Sequence, residues 1–307
     1  MPRVSSFGLN QVLIADLQRN QGRVAKGQQQ INSGKVTDQY RGLSREVETL
    51  LGAKSLRTRN FNHLDVIAEM NGRLEFNNLH LVSMFEQMET LRSRILSAIA
   101  NEETAGLTEE LNQSLLSVVG SLNSKVGDVF LFGGTRTDVA PVTVSSLSEL
   151  EAAPSAASVF QNSQTKPAAR IDEAITMEFG LLANEIGEPL LDVLRDISLF
   201  NNGASGPLDG ALNATQRTFL ESMLPKLEAA TQNLSGITTV NGVRLNRLEV
   251  IRDRVETNVS FLSTFISDIE DTDMTEAILN LNADQSALDA SFSALSTLFD
   301  VSLLNFI

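Results

Sequence analysis

The stretch IAEMNGRLEFNNLHLVSMFEQMETLRSRILSAIA, residues 67–100, decides the fold, because its apolar residues recur at alternating steps of three and four. Nine of the ten repeat positions are apolar, and the ten are Ile67, Met70, Leu74, Asn77, Leu81, Met84, Met88, Leu91, Ile95 and Ala98. This heptad repeat is typical of a helix that buries one face against a partner helix. We therefore predict a helix over about residues 56–100, roughly 65 Å long at 1.5 Å per residue. Asn77 either fixes the register of the helix pair or marks a hydrated position.

A second helical pattern follows a turn at residues 101–106 and predicts an antiparallel partner for the first helix. Its repeat positions are Leu111, Leu115, Val118, Leu122 and Val129. Thr108 is the expected N-cap. The pattern ends in VFLFGGTRTDVAPV, residues 129–142, where the pair Gly133-Gly134 predicts a domain boundary. A phosphate loop would instead follow a strand and end in Gly-Lys-Ser or Gly-Lys-Thr.

The composition favours an elongated helical bundle and excludes several functional classes. The 307 residues include no Trp, a single Tyr and no Cys, so we expect no compact aromatic core, disulfide or thiolate metal site. A net charge of −14 argues against nucleic-acid binding, which needs a basic surface. No apolar run approaches the ~20 residues of a membrane span, and the N-terminal stretch lacks the apolar core of a Sec signal peptide.

The charges are distributed unevenly between the two ends of the sequence. Residues 1–60 hold ten Lys or Arg against four Asp or Glu, whereas residues 267–307 hold eight acids and no Lys or Arg. This asymmetry predicts that the two ends lie side by side, or that each lies against the opposite end of a neighbouring molecule. The alternative is that the asymmetry is accidental.

Both ends carry weak amphipathic helical patterns with thin apolar stripes, and Gly34 is the expected stop of the first helix. The last helix is expected to start with Asp273 as N-cap and Glu276 in a capping box. Such helices gain most of their stability by packing against other helices. We therefore predict that their apolar residues form an assembly interface, which comprises Leu13, Leu17, Val24, Ile31, Leu281, Leu288, Phe292, Leu295, Phe299 and Leu303.

The middle of the chain has a different texture. Five of the seven prolines fall within residues 136–212, and Ile175, Met177 and Phe179 alternate with polar residues as in a strand. Residues 188–203 predict a short helix that ends at Gly203. Long helical patterns resume after residue 212, with an interruption predicted at the glycines of residues 235–249.

The predicted fold is therefore mainly α. It is an elongated antiparallel helical bundle or coiled-coil rod with paired terminal helices and a small β-containing outer domain inserted in the middle. The predicted domains are a terminal coiled coil of residues 1–42 plus 273–307, a helical rod of residues 43–135 plus 213–272, and an outer insertion of residues 136–212.

We find no pattern of catalytic or metal-binding residues, and predict no enzyme activity, cofactor or metal. His63 and His80 are the two histidines, and they lie too far apart for a His-Glu-x-x-His zinc motif. The acidic residues around Asp268 lack the glycine and the distal Glu of a Ca²⁺-binding loop. An unrecognised enzyme site within residues 136–212, involving Asp172 or Glu173, is kept as an alternative.

The sequence resembles the flagellin superfamily, and most closely the family of flagellar hook-associated protein 3, the hook–filament junction protein. Five segments carry the resemblance: LNQVLIADLQRNQGRVAKGQQQINSGK (9–35), FLFGGTRTDVAP (130–141), NGVRLNRLEVIRDR (241–254), SDIEDTDMTEAI (267–278) and SLLNFI (302–307). The loop VTDQYRGLS, residues 36–44, departs from the usual Asp-Asp-Pro or Asp-Asp-Ala. The end of the sequence lacks the Arg of many flagellins, which favours a junction protein over a filament subunit.

The resemblance implies a structural, secreted component of the bacterial flagellum that takes part in motility. It implies export through the flagellar type III channel and terminal helices that fold on assembly. The implied partners are further copies in a ring, a neighbouring hook-associated protein, flagellin and an export chaperone, with no nucleic acid and no membrane span. The alternatives are a short flagellin that forms the filament, and a cytosolic coiled-coil scaffold or chaperone.

Overall fold

A computed structural model describes residues 6–43 and 46–304, except the side chains of Ser6, Phe7, Leu9, Asn10, Arg41 and residues 298–304. The helices are α1 (Ser6–Ser33), α2 (Val47–Asn101), α3 (Leu107–Leu122), α4 (Leu147–Ala152), α5 (Ala183–Asn201), α6 (Ala214–Glu270) and α7 (Met274–Leu304). The strands are β1 (Lys125–Val126), β2 (Val129–Phe130), β3 (Ala168–Arg170) and β4 (Thr176–Glu178). Short 3₁₀ turns cover Tyr40–Leu43 and Ala156–Val159. The predicted mainly α fold with helical bundle packing is confirmed.

The chain divides into two compact units, with boundaries after Arg59 and after Glu256. Both boundaries fall inside long helices, α2 and α6. The first unit contains α1, α7, the start of α2 and the end of α6, and the second unit contains everything from Asn60 to Glu256. The division into three domains stays a prediction.

In the first unit α1 packs against α7 in an antiparallel pair. Asn20 hydrogen-bonds to Ser291, Gly27 lies against Leu281, and Lys35 forms a β-bridge with Asp271. The residue numbers thus increase in the first segment while those of their contact partners decrease, as in an antiparallel pair. A separate small core forms where the start of α2 meets the end of α6. It consists of Leu50, Ala53, Leu262 and Ile266.

The second unit holds the main hydrophobic core, built where the heptad face of α2 meets α3, α5 and α6. Leu81, Met84, Met88, Leu91 and Ile95 are completely buried there, as the heptad repeat predicted. Gln87 donates to Glu110 and Ser114 at 2.9 and 3.1 Å. Arg94 donates to the carbonyl of Ala105. These contacts make α3 the antiparallel partner that the sequence predicted.

A second cluster in this unit joins α2 and α6 to a β-hairpin. Leu74 of α2 and Leu248 of α6 pack with Ile171 and Met177, which lie on either side of the β3–β4 turn. The hairpin pairs Ala168 with Glu178, Ala169 with Met177 and Arg170 with Thr176. The strand predicted from the alternation around Met177 is confirmed, because β4 buries Met177 and exposes its two neighbours.

Three local predictions for α3 and α5 were wrong. The helix after residue 107 ends at Leu122 rather than near Val129, because a β1–β2 hairpin follows it and turns at Gly127 with φ +61°. The N-cap of α3 is Gly106, and Thr108 instead hydrogen-bonds to Asn201 at 3.4 Å. The short helix α5 covers Ala183–Asn201, so it starts five residues before and ends two residues before the predicted limits of 188 and 203.

The interruption predicted within residues 235–249 is also absent, since α6 is continuous from Ala214 to Glu270. The heptad positions Leu234, Asn241 and Leu248 are all completely buried. A glycine inside a helix costs only about 1 kcal/mol. The packing of this face therefore outweighs the two glycines, Gly236 and Gly242, that suggested a break.

Candidate assembly surface

The predicted interface residues lie on the two paired helices α1 and α7, where the seam between the helices is only partly covered. Phe292 is exposed. The side chains of Phe299 and Leu303 lie outside the described residues. The half-buried members are Leu13, Leu17, Val24, Ile31, Leu281, Leu288 and Leu295. Two helices alone leave one flank of every seam residue open to solvent, which is what a surface that accepts further helices requires.

Further apolar side chains of this pair face solvent outside the predicted seam. Val12 and Ile14 of α1 and Met274, Ile278 and Leu279 of α7 are all exposed, and Leu279 is 65% exposed. Among the described side chains of α1 and α7, only those of Asn20 and Ala277 are buried. The pair therefore presents apolar residues on more than its mutual seam.

Asn20 is a seam residue that the sequence reasoning missed. Its side-chain amide donates to Ser291 Oγ at 2.8 Å and to the carbonyl of Ala287 at 3.4 Å. The signal was present in the sequence, because Asn20 lies three residues after Leu17 and four before Val24 and so continues the heptad. A polar residue at one such position fixes the register of a helix pair at some cost in stability.

The opposite charges of the two ends meet across this pair. Arg23 Nε lies 3.3 Å from a carboxylate oxygen of Asp284, and the guanidinium of Arg23 also donates to Asn20. The two ends thus lie side by side within one molecule. Exposed ion pairs contribute only about 0–1 kcal/mol, so this contact orients the helices more than it stabilises them.

A compact joint closes the pair where α1 ends and α7 begins. Gly34 takes a left-handed conformation, φ +68°, as expected for the stop of α1. The N–H of Thr272 donates to the carbonyl of Gly34 at 2.9 Å, and the N–H of Val36 donates to that of Glu270 at 2.8 Å. These bonds hold the two chain segments in one antiparallel bridge.

Two lysines form ion pairs with one glutamate at this joint. The carboxylate of Glu270, the last residue of α6, binds Lys54 Nζ and lies 3.6 Å from Lys35 Nζ. Only 12% of its side chain is exposed. Asp273 caps α7 by accepting hydrogen bonds from the N–H groups of Thr275 and Glu276 at 2.8 and 3.2 Å.

The predicted boundary glycines lie in the second unit, in the loop after β2 rather than at a helix end. A Cβ on Gly133 would lie 2.2 Å from the carbonyl oxygen of Arg136. Gly134 has φ +68°, and a Cβ there would lie 2.8 Å from the carbonyl oxygen of Thr165. The pair is required for close backbone packing, and its role as a domain boundary stays a prediction.

Two polar residues that were considered as candidates for metal binding or catalysis, His80 and Asp172, make packing and ion-pair contacts. His80 lies against Phe132 with its ring edge-on at 6.3 Å, and burial lowers the pKa of His80. Asp172 is engaged by Arg254. Among residues 6–43 and 46–304, no group of three or more His, Cys, Asp or Glu side chains is arranged to hold a metal ion. Within the same ranges, no helix has the length and apolar character to cross a membrane.

Comparison with known proteins found similarities to flagellar proteins. Residues 224–307 match the bacterial flagellin C-terminal helical region, which here covers most of α6 and all of α7. A protein of Vibrio parahaemolyticus, assigned to the flagellar hook-associated proteins, matches 73% of this chain and 97% of its own at 21% identity and TM-score 0.62. FlgL of Bacillus cereus matches 71% and 99% at 14% identity and TM-score 0.56. The comparison with curated proteins found no match.

Proposed function

We propose that this chain, which carries the flagellin C-terminal helical region and shares the fold of flagellar hook-associated proteins, is the structural component that joins hook to filament. The similarity to FlgL favours the junction role over that of a filament subunit. The flagellin C-terminal match keeps a short flagellin as the second candidate.

The observation that carries the mechanism is the partly covered seam of the α1–α7 pair. Full burial of a Leu, Val or Phe side chain is worth about 1.5–3 kcal/mol, and the half-buried seam residues realise only part of this in one molecule. Ordering each residue of a helix costs about 1–2 kcal/mol in backbone entropy. The pair is therefore marginal alone and becomes stable when neighbouring subunits cover the seam.

Coupled folding and assembly follows from this balance. The subunit leaves the cell through the flagellar export channel with its ends unfolded, and an export chaperone covers the apolar residues of the ends. At the growing flagellum the ends fold against those of neighbouring copies, which form a ring. The ring contacts a second hook-associated protein on one side and flagellin on the other, outside the cell.

The role of the remaining chain in this proposal is structural. Residues 43–135 plus 213–272 form a helical rod, residues 1–42 plus 273–307 form the terminal coiled coil, and residues 136–212 form an outer insertion that begins beyond Gly133 and Gly134. No enzymatic step is assigned to any of them. The outer insertion in this division is supported by the strands β3 and β4 and the 3₁₀ turn Ala156–Val159, which fall within residues 136–212.

Immunogold labelling of intact flagella, combined with quantification of the chain in isolated flagella, tests the proposal. A junction protein gives one labelled band at the distal end of the hook and a copy number of roughly a dozen per flagellum, as the family implies. Label along the whole filament and thousands of copies would identify a flagellin. Retention of the chain inside the cell would identify a cytosolic scaffold or chaperone.

A further inference from the structure

The second unit carries two exposed apolar faces, which do not belong to the seam of the terminal helices α1 and α7. One is the outer face of α2, where Phe76, Leu79, Val82 and Phe85 are between 36 and 61% exposed. We call these four residues the α2 face. At 3.6 residues per turn the three-residue spacing turns each successive side chain by about 60°. Leu79 and Val82 therefore point away from the buried heptad residues Leu74, Leu81 and Met84, and Phe76 and Phe85 lie on opposite sides of them. Four large apolar side chains within ten residues are more than isolated surface residues account for.

The other is the outer face of α6, where Val240, Val243 and Val250 are between 50 and 69% exposed. We call these three residues the α6 face. A groove of about 390 Å³ runs beside it, lined in part by Leu181, Ile237, Val240 and Arg244. In this groove Arg244 Nη1 is buried without a hydrogen-bond partner.

Both faces lie on the same section of the α2–α6 pair. The side-chain amide of Asn241 donates to the carbonyl of Leu74 at 2.9 Å, which places Phe76 and Val240 close to the same level. Leu74 and Leu248 belong to one buried cluster. Since the buried sides of the two helices face each other, the exposed sides point in opposite directions and cannot cover each other within one molecule.

The charges around the two faces are complementary. Between residues 74 and 88 the charged residues are Glu75 and Glu86, both acidic, and both are exposed. Across the α6 face, residues 240–250, the charged residues are Arg244, Arg247 and Glu249, which leaves a net charge of +1. Complementary charges at the edge of an apolar contact steer association and fix its register.

The two faces also match in length. Phe76 and Phe85 are nine residues apart, which corresponds to roughly 14 Å along a helix. Val240 and Val250 are ten residues apart, which corresponds to roughly 15 Å. A helix that docks along Leu79 and Val82 can therefore contact the α6 face over a comparable length.

We infer that the α2 face of one copy docks on the α6 face and groove of the next copy, with Glu75 and Glu86 towards Arg244 and Arg247. This inference rests on the proposed function, because it assigns the lateral contact within the ring. The contact joins two different surfaces, so it repeats from copy to copy and generates a ring or a helical array rather than a closed dimer.

Paired cysteines test the contact in assembled flagella, since the chain has no cysteine of its own. The double variant Leu79→Cys, Val243→Cys is expressed in the source bacterium, and isolated flagella are treated with a bis-maleimide reagent. We expect a ladder of bands at successive multiples of the 33.4 kDa chain mass. The second pair Phe76→Cys, Val240→Cys covers the case in which the first pair fails to assemble.

Single variants and a displaced pair provide the controls. Each single cysteine is expected to stay at the mass of one chain, and so is the pair Gln113→Cys, Val243→Cys, whose first position is exposed on α3. A ladder from this displaced pair, dimers from Leu79→Cys alone, or no ladder from both test pairs in flagella that contain the chain would each overturn the inference. Immunogold labelling of the same flagella tests the proposed function separately. If cross-linking gives a ladder and the gold label extends along the whole filament, the contact is supported and the junction role is rejected.

Discussion

The side-chain amide of Asn20 donates a hydrogen bond to Ser291 Oγ at 2.8 Å, and thereby links two residues that are 271 positions apart in the chain. This bond lies in the seam of the α1–α7 pair, with the ion pair between Arg23 and Asp284 beside it. The two helices are thus aligned by polar contacts, while their apolar seam is half exposed. That combination suits a pair whose register is set within one molecule and whose burial is completed by neighbours.

The first prediction concerns the seam itself. We expect Leu17→Asp to abolish assembly. Burial of the still exposed part of the Leu17 side chain contributes about 1–2 kcal/mol to assembly, and burial of an unpaired carboxylate at the same place costs more than this. Each 1.4 kcal/mol is a factor of ten in an association constant. Swarming should fall to the level of a strain without the gene, while an immunoblot of the medium still shows the exported chain.

The matched control for this prediction is Gln18→Asp, which introduces the same charge one residue away at an exposed position. It should leave swarming unchanged. Normal motility of the Leu17→Asp strain would show that the seam does not carry assembly.

A second prediction concerns the joint at the end of α6. Glu270→Gln removes the charge that holds Lys54 and Lys35 in a largely covered site. Hydrogen bonds to charged groups contribute about 1.5–3 kcal/mol, so the free energy of unfolding should fall by about 2 kcal/mol in urea titrations of the full chain. Asp268→Asn, two residues earlier and exposed, should change it by less than about 0.5 kcal/mol. Equal effects of the two variants would refute the role of Glu270.

A third prediction separates backbone strain from packing in the glycine loop. Gly134 combines a positive φ with close neighbours, whereas Gly127 has a positive φ and open space around it. Alanine in a left-handed conformation costs about 1–2 kcal/mol, and overpacking adds about 1–3 kcal/mol. Gly127→Ala should therefore destabilise by about 1 kcal/mol and Gly134→Ala by about 3 kcal/mol in the same denaturation assay. A smaller loss for Gly134→Ala than for Gly127→Ala would contradict the packing seen at Thr165 and Leu182.

A fourth prediction concerns pH. Burial lowers the pKa of His80 below its ordinary value of about 6.5 in the folded chain. The unfolded chain therefore takes up this proton first as the pH falls, so protonation favours unfolding and the contribution of His80 to stability declines below about pH 6.5. Unfolding free energies measured between pH 7.5 and about 5 should fall less steeply in His80→Gln than in the parent chain. Identical slopes would argue against a desolvated imidazole beside Phe132.

The long helices were predictable because their burial repeats in the sequence. The α2 repeat that begins at Ile67 is buried at each apolar position, and the pairing of the two ends followed from their charges. The continuity of α6 was mispredicted because its glycines were given more weight than the packing of Leu234, Asn241 and Leu248. The end of α3 was mispredicted because the β1–β2 hairpin that follows it was not recognised. In the outer block the strand around Met177 was predicted from its alternation. Its packing was not, because Ile171 and Met177 contact Leu74 and Leu248, which are remote in sequence.

The apolar members of the candidate interface were selected from the sequence, its polar members were not, and the interface itself stays a prediction. Leu17 and Leu288 were selected by their heptad spacing. Asn20 continues the same heptad, but a polar residue at such a position was not selected, and its partner Ser291 is known only from the structure. The joint at Glu270 depends on two lysines more than 200 positions away along the chain, and no local pattern encodes that distance.

Hydrogen exchange of the isolated subunit, followed by mass spectrometry, tests the central claim most directly. We expect amides of α1 and α7 to exchange within seconds to minutes in dilute buffer, while those of α2 and α6 within the second unit stay protected for hours. In assembled flagella α1 and α7 should become as protected as α2. Protection of α1 and α7 in the lone subunit equal to that of α2 would contradict the claim that neighbours complete their folding.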